Sequence, residues 1–146
     1  MEFAKKQKIG HAGTLDPFAT GLLVILLGKS TKLFDEFQEF KKEYKVIGEF
    51  GYETDTYDIT GEKVFEDMDA KEKVSEEKLR NVLKDFTGEI LQIPPNFSAK
   101  KVDGKRAYEL ARKKKEFELQ AKKVNVYELE LLSYKFPRFE LSVTCS

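Results

Sequence analysis

The stretch His11–Gly21 reads HAGTLDPFATG and has the composition of a loop. Its glycines permit backbone conformations that other residues avoid, and Pro17 fixes its own backbone while holding the preceding Asp16 extended. Asp16 is the only acid in the stretch. A carboxylate held in this way can be a nucleophile, a general base, or the cap of a helix that begins at Pro17. The local pattern alone favours the helix cap.

Apolar periodicity in the rest of the chain predicts both strands and helices. The unbroken apolar run Leu22–Leu27 predicts a strand buried on both faces, and a helix is expected from Ser30 or Thr31 to Phe40. The clearest helix follows Ser75 and ends before Gly88. Further elements are expected as strands over Tyr44–Tyr52, Val124–Leu132 and Phe139–Cys145 and as a basic helix over Ala107–Lys115. The pattern therefore predicts an α+β domain.

Two loops carry polar chemistry. Thr54–Gly61, TDTYDITG, is a cluster of turn formers typical of a hairpin, and its acids do not have the spacing of a calcium loop. Ile93–Arg106, IPPNFSAKKVDGKR, joins a double proline to an aromatic residue and basic side chains. Long ordered loops of this kind are often functional, and basic loops with aromatics suit RNA. The alternative is that these lysines only solubilise the surface.

Composition limits the class of protein. The 146 residues fit one ordinary domain, and 26 basic residues balance 26 acidic ones, so any affinity for nucleic acid depends on where the lysines lie. The single cysteine excludes an internal disulfide and fits a reducing cytosol. No apolar run is long enough to span a membrane, and common nucleotide-binding and metalloprotease motifs are missing.

Four ordered blocks give a more specific signal: KIGHAGTLDPFATGLLVILLGKSTK, KEYKVIGEFGYETDTYDITGE, IPPNFSAKKVDGKRAYELAR and the terminal LSVTCS. The chain closely resembles TruB-type tRNA pseudouridine synthases over almost its whole length. The resemblance implies a catalytic core with a mixed, largely antiparallel sheet and flanking helices. It also implies isomerisation of the T-loop uridine conventionally numbered 55, with tRNA as the partner through its T-arm and with no metal or organic cofactor.

The resemblance implies a role for individual residues. Asp16 matches the nucleophile, which attacks the target nucleoside at the ribose or the base, and Tyr44 matches the tyrosine that stacks on the flipped base. The alternative for Tyr44 is a strand aromatic in the core. His11 matches the histidine that helps to occupy the space of the flipped nucleotide. Supporting positions are Gly13, Thr14, Pro17, Asp58 and Lys100, and contacts to the RNA backbone are expected from Lys100, Lys101, Lys105 and Arg106.

Family members have further segments that this sequence does not contain. They begin with a KPxGxTS-like segment, continue after the Cys-Ser pair with a GTYIR-like block whose arginine pairs with the nucleophile, and usually end in a small RNA-binding domain of the PUA type. We therefore expect residues 1–146 to form a single, partial catalytic domain of a cytoplasmic monomer that does not associate with membranes. The alternative function is a non-catalytic RNA-binding or assembly fragment that keeps the cleft without the partner arginine.

Overall fold

The computed structural model describes residues 7–93 and 120–146 in full, and residues 101–102 and 105–106 as backbone. The chain divides into two compact units, Met1–Lys41 and Lys42–Ser146. The predicted basic helix over Ala107–Lys115 lies outside the described residues, as does most of the proline-rich loop.

The first unit is built on a short pair of strands. Its elements are β1 (Ile9–His11), β2 (Ile25–Leu27), a 3₁₀ helix (Gly28–Leu33) and α1 (Phe34–Gln38). The two strands are antiparallel, and His11 lies opposite Ile25. Backbone hydrogen bonds extend the pairing at both ends, from the Ala12 N–H to the Val24 carbonyl (3.0 Å) and from the Gly28 N–H to the Lys8 carbonyl (2.7 Å). The pair therefore closes the base of the loop that contains HAGTLDPFATG.

The prediction that Leu22–Leu27 forms a strand buried on both faces is wrong. Only Ile25–Leu27 is extended in the sheet, and Leu26 alone among them is buried. Leu22 is 88% exposed. Among the described residues the strand has a single neighbour in its sheet, so the apolar run is not the central strand that its composition indicated.

The predicted helix cap at Ser30 or Thr31 is also wrong. The chain turns directly out of β2 into the 3₁₀ helix at Gly28, which has a φ of 57° that suits glycine. The Thr31 hydroxyl donates to the Gly28 carbonyl at 2.9 Å, within that first turn. The helix cap is therefore Leu27, three or four residues earlier than predicted, and it makes no side-chain cap hydrogen bond.

The second unit contains a four-stranded antiparallel sheet with the order β3-β10-β9-β6. Its described elements are β3 (Lys42–Glu49), β4 (Tyr52–Thr54), β5 (Lys63–Glu66), α2 (Ala70–Lys73), α3 (Glu76–Asp85), β6 (Gly88–Gln92), β7 (Lys101–Val102), β8 (Lys105–Arg106), β9 (Lys122–Lys135) and β10 (Arg138–Cys145). β4 pairs with β5 and β7 with β8 in two separate hairpins. Every described strand pair is antiparallel, and the predicted α+β class is confirmed.

Two bulges organise the long strand β9. Opposite β10, the register skips one residue of β9 at Tyr127 and another at Leu132. Each skip shifts the side-chain alternation by one residue, so that apolar side chains spaced by two and three residues share one face. The side chains on this face are the buried or half-buried ones of the strand, namely Val124, Val126, Leu129, Leu131 and Tyr134.

Helix α3 forms as its sequence predicts. The Ser75 hydroxyl accepts a hydrogen bond from the Lys78 N–H at 3.2 Å, and Glu76 and Glu77 occupy the first turn. Leu79 is its buried residue, and the helix contacts β9. Within the described part of the chain, no helix is both long and apolar enough to cross a membrane.

Candidate functional site

Asp16 lies in the loop that β1 and β2 close at its base. Gly13, with a φ of 128°, adopts a backbone conformation that side chains disfavour, although no atom within 4 Å would obstruct a Cβ there. The Asp16 side chain is exposed. No residue among 7–41 forms a hydrogen bond or ion pair with its carboxylate, so the group is presented to solvent and available for chemistry.

The structure contradicts the interpretation of Asp16 as a helix cap. No helix begins at Pro17. The Ala19 N–H donates to the Asp16 carbonyl at 2.9 Å, which closes a single turn with Pro17 at its second position. Proline is favoured there because its fixed φ matches the turn. The stiffness predicted from sequence is thus supplied by a β-turn.

His11 ends β1 and faces the same loop. Its Nδ1 forms a short hydrogen bond with the Gly13 carbonyl. A carbonyl only accepts, so Nδ1 is the donor in this hydrogen bond. The loop therefore brings five predicted site residues together in one segment, namely His11, Gly13, Thr14, Asp16 and Pro17.

Tyr44 lies in β3, an edge strand of the four-stranded sheet, opposite Val143 of β10. Its side chain is 49% exposed, so it is not the core aromatic that the alternative interpretation expected. The hydrogen-bonded strand fixes the backbone position of this half-exposed aromatic residue.

Asp58 is the centre of a hydrogen-bond network in the loop between β4 and β5, which we call the Thr54–Gly61 loop. Its Oδ1 accepts hydrogen bonds from the Thr56 hydroxyl (2.9 Å), the Thr60 N–H (2.7 Å) and the Thr60 hydroxyl (2.5 Å). Its carbonyl accepts from the Thr54 hydroxyl at 2.8 Å. The Thr60 hydroxyl, followed by weaker donors, holds the pKa of Asp58 below its usual value. Hydrogen bonds to this carboxylate therefore fix the conformation of the loop, which connects two strands of a hairpin as the sequence predicts.

The lowered pKa of Asp58 predicts a pH-dependent contribution to stability. A depressed carboxyl pKa stabilises the folded state above the pKa of the unfolded chain, and the contribution is lost as pH falls through the folded value. We expect Asp58→Asn to lower the free energy of unfolding by about 1 kcal/mol at pH 7 and by less at pH 3. Urea unfolding at both pH values measures the difference, with Asp69→Asn as a control on an exposed acid of the same unit. An equal loss at both pH values contradicts the role of the charge.

Sequence reasoning missed the backbone of Tyr57 in this loop. Its φ is 60°, the left-handed region, which costs a non-glycine residue about 1–2 kcal/mol. A Cβ at Gly61 would overlap the Thr56 hydroxyl and lie 2.5 Å from Asp55 Oδ1, so any other residue here would displace side chains that hold the loop. The motif letters gave no signal for Tyr57, because glycine or asparagine normally marks such a position.

The basic positions of the second unit are described only in part. Lys100 lies outside the described residues. In the hairpin of β7 and β8, Lys101 lies opposite Arg106, and Val102 lies opposite Lys105. The backbone pairing therefore concentrates three basic residues in one short ribbon.

A depression elsewhere in the second unit contains none of the predicted site residues. It has a volume of about 370 Å³ and is lined by Glu49, Lys135, Phe136, Pro137 and Arg138. Arg138 Nε donates to Glu49 Oε2 at 2.9 Å. Among the described residues, no cluster of three or more histidine, cysteine, aspartate or glutamate side chains could hold a metal ion.

Comparison with known proteins decides the family. The family model described as TruB family pseudouridylate synthase (N terminal domain) matches residues 2–146. The chain belongs to the TruB family. Its likeness to TruB-type enzymes, carried in the sequence by HAGTLDPFATG and three further blocks, is thereby confirmed.

Curated relatives of this TruB-family chain are named tRNA pseudouridine synthase B. The protein from Aquifex aeolicus (strain VF5) is 54% identical over 132 residues, which are 90% of this chain and 45% of the relative. The one from Parabacteroides distasonis is 49% identical, covering 97% and 60%, and the one from Clostridium tetani is 46% identical, covering 99% and 50%. The chain thus spans about half the length of these relatives.

A solved structure supports the TruB-family fold. It is titled Crystal Structure of a Cbf5-Nop10-Gar1 Complex, and the matching chain has a TM-score of 0.61 and 26% identity. The match covers 99% of this chain and 32% of the other. The α+β core is therefore shared with the matching chain of that complex.

Proposed function

We propose that this chain is the nucleophile-bearing part of a synthase that converts uridine 55 of the tRNA T-loop to pseudouridine. The observation that carries the proposal is the exposed Asp16 carboxylate, held in a closed loop and without a partner among residues 7–41. Family membership over residues 2–146 supports the reaction class. The names of the curated relatives support tRNA as the substrate.

In the proposed reaction, the Asp16 carboxylate attacks the target nucleoside at the ribose or the base, and the bond between N1 of uracil and C1′ of the ribose breaks. The base turns and a bond forms between its C5 and C1′. The bond between Asp16 and the nucleoside then breaks, which regenerates the carboxylate, the C5 proton leaves to solvent and N1 takes up a proton. Atoms and electrons balance within the nucleoside, so the reaction needs no redox partner. A fixed, ionised carboxylate contributes by proximity and by covalent catalysis.

The proposal assigns supporting roles to other residues. Tyr44 stacks on the extruded uracil, and unstacking that base costs a few kcal/mol that contacts to the T-arm offset. His11 occupies space near the extruded nucleotide with its Nδ1 proton engaged by Gly13. Asp58 and Lys100 support the site. Residues 1–146 form one partial catalytic domain of a monomeric cytoplasmic enzyme, completed by an arginine-bearing segment and a PUA-type domain.

Tritium release tests the function. T-arm RNA labelled at C5 of uracil loses its label only when C5 exchanges its proton for the bond to ribose. Release by this chain, with pseudouridine detected at position 55, supports the enzyme. Binding of the RNA without release supports instead the second candidate, a non-catalytic RNA-binding or assembly fragment.

Basic residues of the β7–β8 hairpin are expected to contact phosphates. Each basic side chain that contacts a phosphate releases counterions from the RNA. Each such contact contributes about 0.7–0.9 to the slope of log affinity against log salt concentration. We expect Lys101→Gln, Lys105→Gln and Arg106→Gln together to weaken binding of T-arm RNA roughly tenfold or more at low salt and to reduce the slope by about 2. Adding Lys100→Gln should reduce it further.

The control for this prediction is Lys71→Gln, on an exposed lysine of α2. Fluorescence anisotropy of labelled RNA at several salt concentrations gives the slope of log affinity against log salt concentration for the triple variant and for the control. An unchanged slope in the triple variant rejects phosphate contact by the hairpin.

A further inference from the structure

The Thr54–Gly61 loop is fixed more firmly than a hairpin connection requires. Three donors converge on Asp58 Oδ1, and Thr54, whose hydroxyl donates to the Asp58 carbonyl, is only 7% exposed. Asp55 closes the loop at its base, because its Oδ1 accepts from the Glu62 N–H at 2.9 Å and its own N–H donates to the Glu62 carbonyl at 3.1 Å. A side chain at the tip of such a loop is displayed at little further entropic cost on binding.

Tyr57 is the side chain that the loop displays. The residue is 77% exposed, and its backbone is in the left-handed region, where glycine or asparagine would be less strained. Burial does not account for a tyrosine here, because the ring lies in solvent. An exposed aromatic residue with a strained backbone on a rigid loop is expected where the ring itself contacts a ligand.

The surroundings of Tyr57 determine which contact is possible. Asp55 and Asp58 lie in the same loop and Glu62 directly follows it, so the segment is rich in acidic side chains, which disfavours phosphate. A tyrosine ring nevertheless offers a face on which an unpaired nucleobase stacks, and such stacking needs no positive charge. An unpaired base therefore fits this loop better than an RNA backbone does.

We propose that Tyr57 is a second stacking platform, in addition to Tyr44, for an unpaired base of the RNA substrate. The inference rests on the proposed function, since it takes an RNA with unpaired bases as the ligand. The contact is made through the ring face and is insensitive to salt, in contrast to the phosphate contacts of the basic hairpin.

A single fluorophore tests this contact directly. The chain contains no tryptophan, so Tyr57→Trp introduces a unique indole at the tip of the loop. On titration with T-arm RNA we expect its fluorescence to be quenched by stacking. Met68→Trp, at a site 90% exposed in the same unit, is the matched control and should not be quenched. Absence of quenching at position 57 in a chain that binds the RNA overturns the inference.

Affinity gives the second measurement. Tyr57→Asn removes the ring but suits the left-handed backbone, so the loop is kept. We expect roughly tenfold weaker RNA binding, by the same factor at low and at high salt, with Tyr57→Phe close to wild type. Equal affinity of the Asn variant and wild type overturns the inference and leaves the proposed function intact. If the wild-type chain does not bind RNA, both the inference and the proposed function are overturned. If the wild type but not the Asn variant captures a protein, and RNA does not quench the indole at position 57, the loop is a protein-docking site instead.

Discussion

Asp16→Asn is expected to reduce tritium release from C5-labelled T-arm RNA by at least about a thousandfold. The amide has nearly the shape of the carboxylate but is a far weaker nucleophile, so the covalent route is closed while the loop is preserved. Because the side chain is exposed and makes no hydrogen bond within residues 7–41, its replacement should leave the stability of the fold unchanged. RNA affinity should stay within about threefold, since the contact that is lost belongs to the reaction and not to binding.

Asp35→Asn provides the matched control for Asp16. Asp35 is an exposed aspartate in the first turn of α1, in the same unit of the chain. Its variant should release tritium at the wild-type rate. If release by the Asp16 variant equals that of the wild type, the nucleophile has been assigned to the wrong residue, and the β1–β2 loop has another role.

Tyr44→Ala is expected to lower kcat/KM for the same substrate on the order of a hundredfold, because a base taken out of its stack loses its aromatic support. Tyr44→Phe keeps the ring face and should stay within about fivefold of wild type. The difference between the two variants separates stacking from any contribution of the hydroxyl. Single-turnover tritium release, measured at limiting and at saturating enzyme, gives kcat/KM and the maximal rate for each variant.

Val46→Ala is the control for the loss of apolar surface at Tyr44. Val46 lies two residues further along β3, on the same face, and is 41% exposed. Its variant should have near wild-type kinetics. An equal loss in the Val46 and Tyr44 variants would show that the strand face, and not the tyrosine ring, is what the reaction needs.

Local sequence signals predicted the parts of this chain whose structure depends on neighbours in sequence. Ser75 caps α3 and the TDTYDITG cluster forms a hairpin loop because hydroxyls and carboxylates satisfy nearby backbone groups wherever they occur. The loop position of Asp16 followed from glycine and proline alone. The helix predicted to begin at Pro17 does not form. The same Asp-Pro pair can open a helix or a turn, and nothing in the local sequence decides between them.

Other parts depend on distant contacts and could not be predicted. The apolar run Leu22–Leu27 carries the composition of a central strand, but its exposure depends on how many strands lie beside it. No residue near Tyr57 in the sequence indicates that its backbone adopts the left-handed conformation. The chemistry of Asp16 and Tyr44 likewise came from resemblance, because spacing alone does not distinguish a nucleophile from a turn residue.

The bulges of β9 bear on how the length of this strand can vary among related chains. Tyr127 and Leu132 have no counterpart on β10, so deletion of either one would leave every other cross-strand partner and both faces of the sheet as they are. Loss of one residue elsewhere between Val124 and Tyr134 would turn part of the apolar face toward the opposite side. Single-residue gaps in this strand are therefore expected to fall at those two positions.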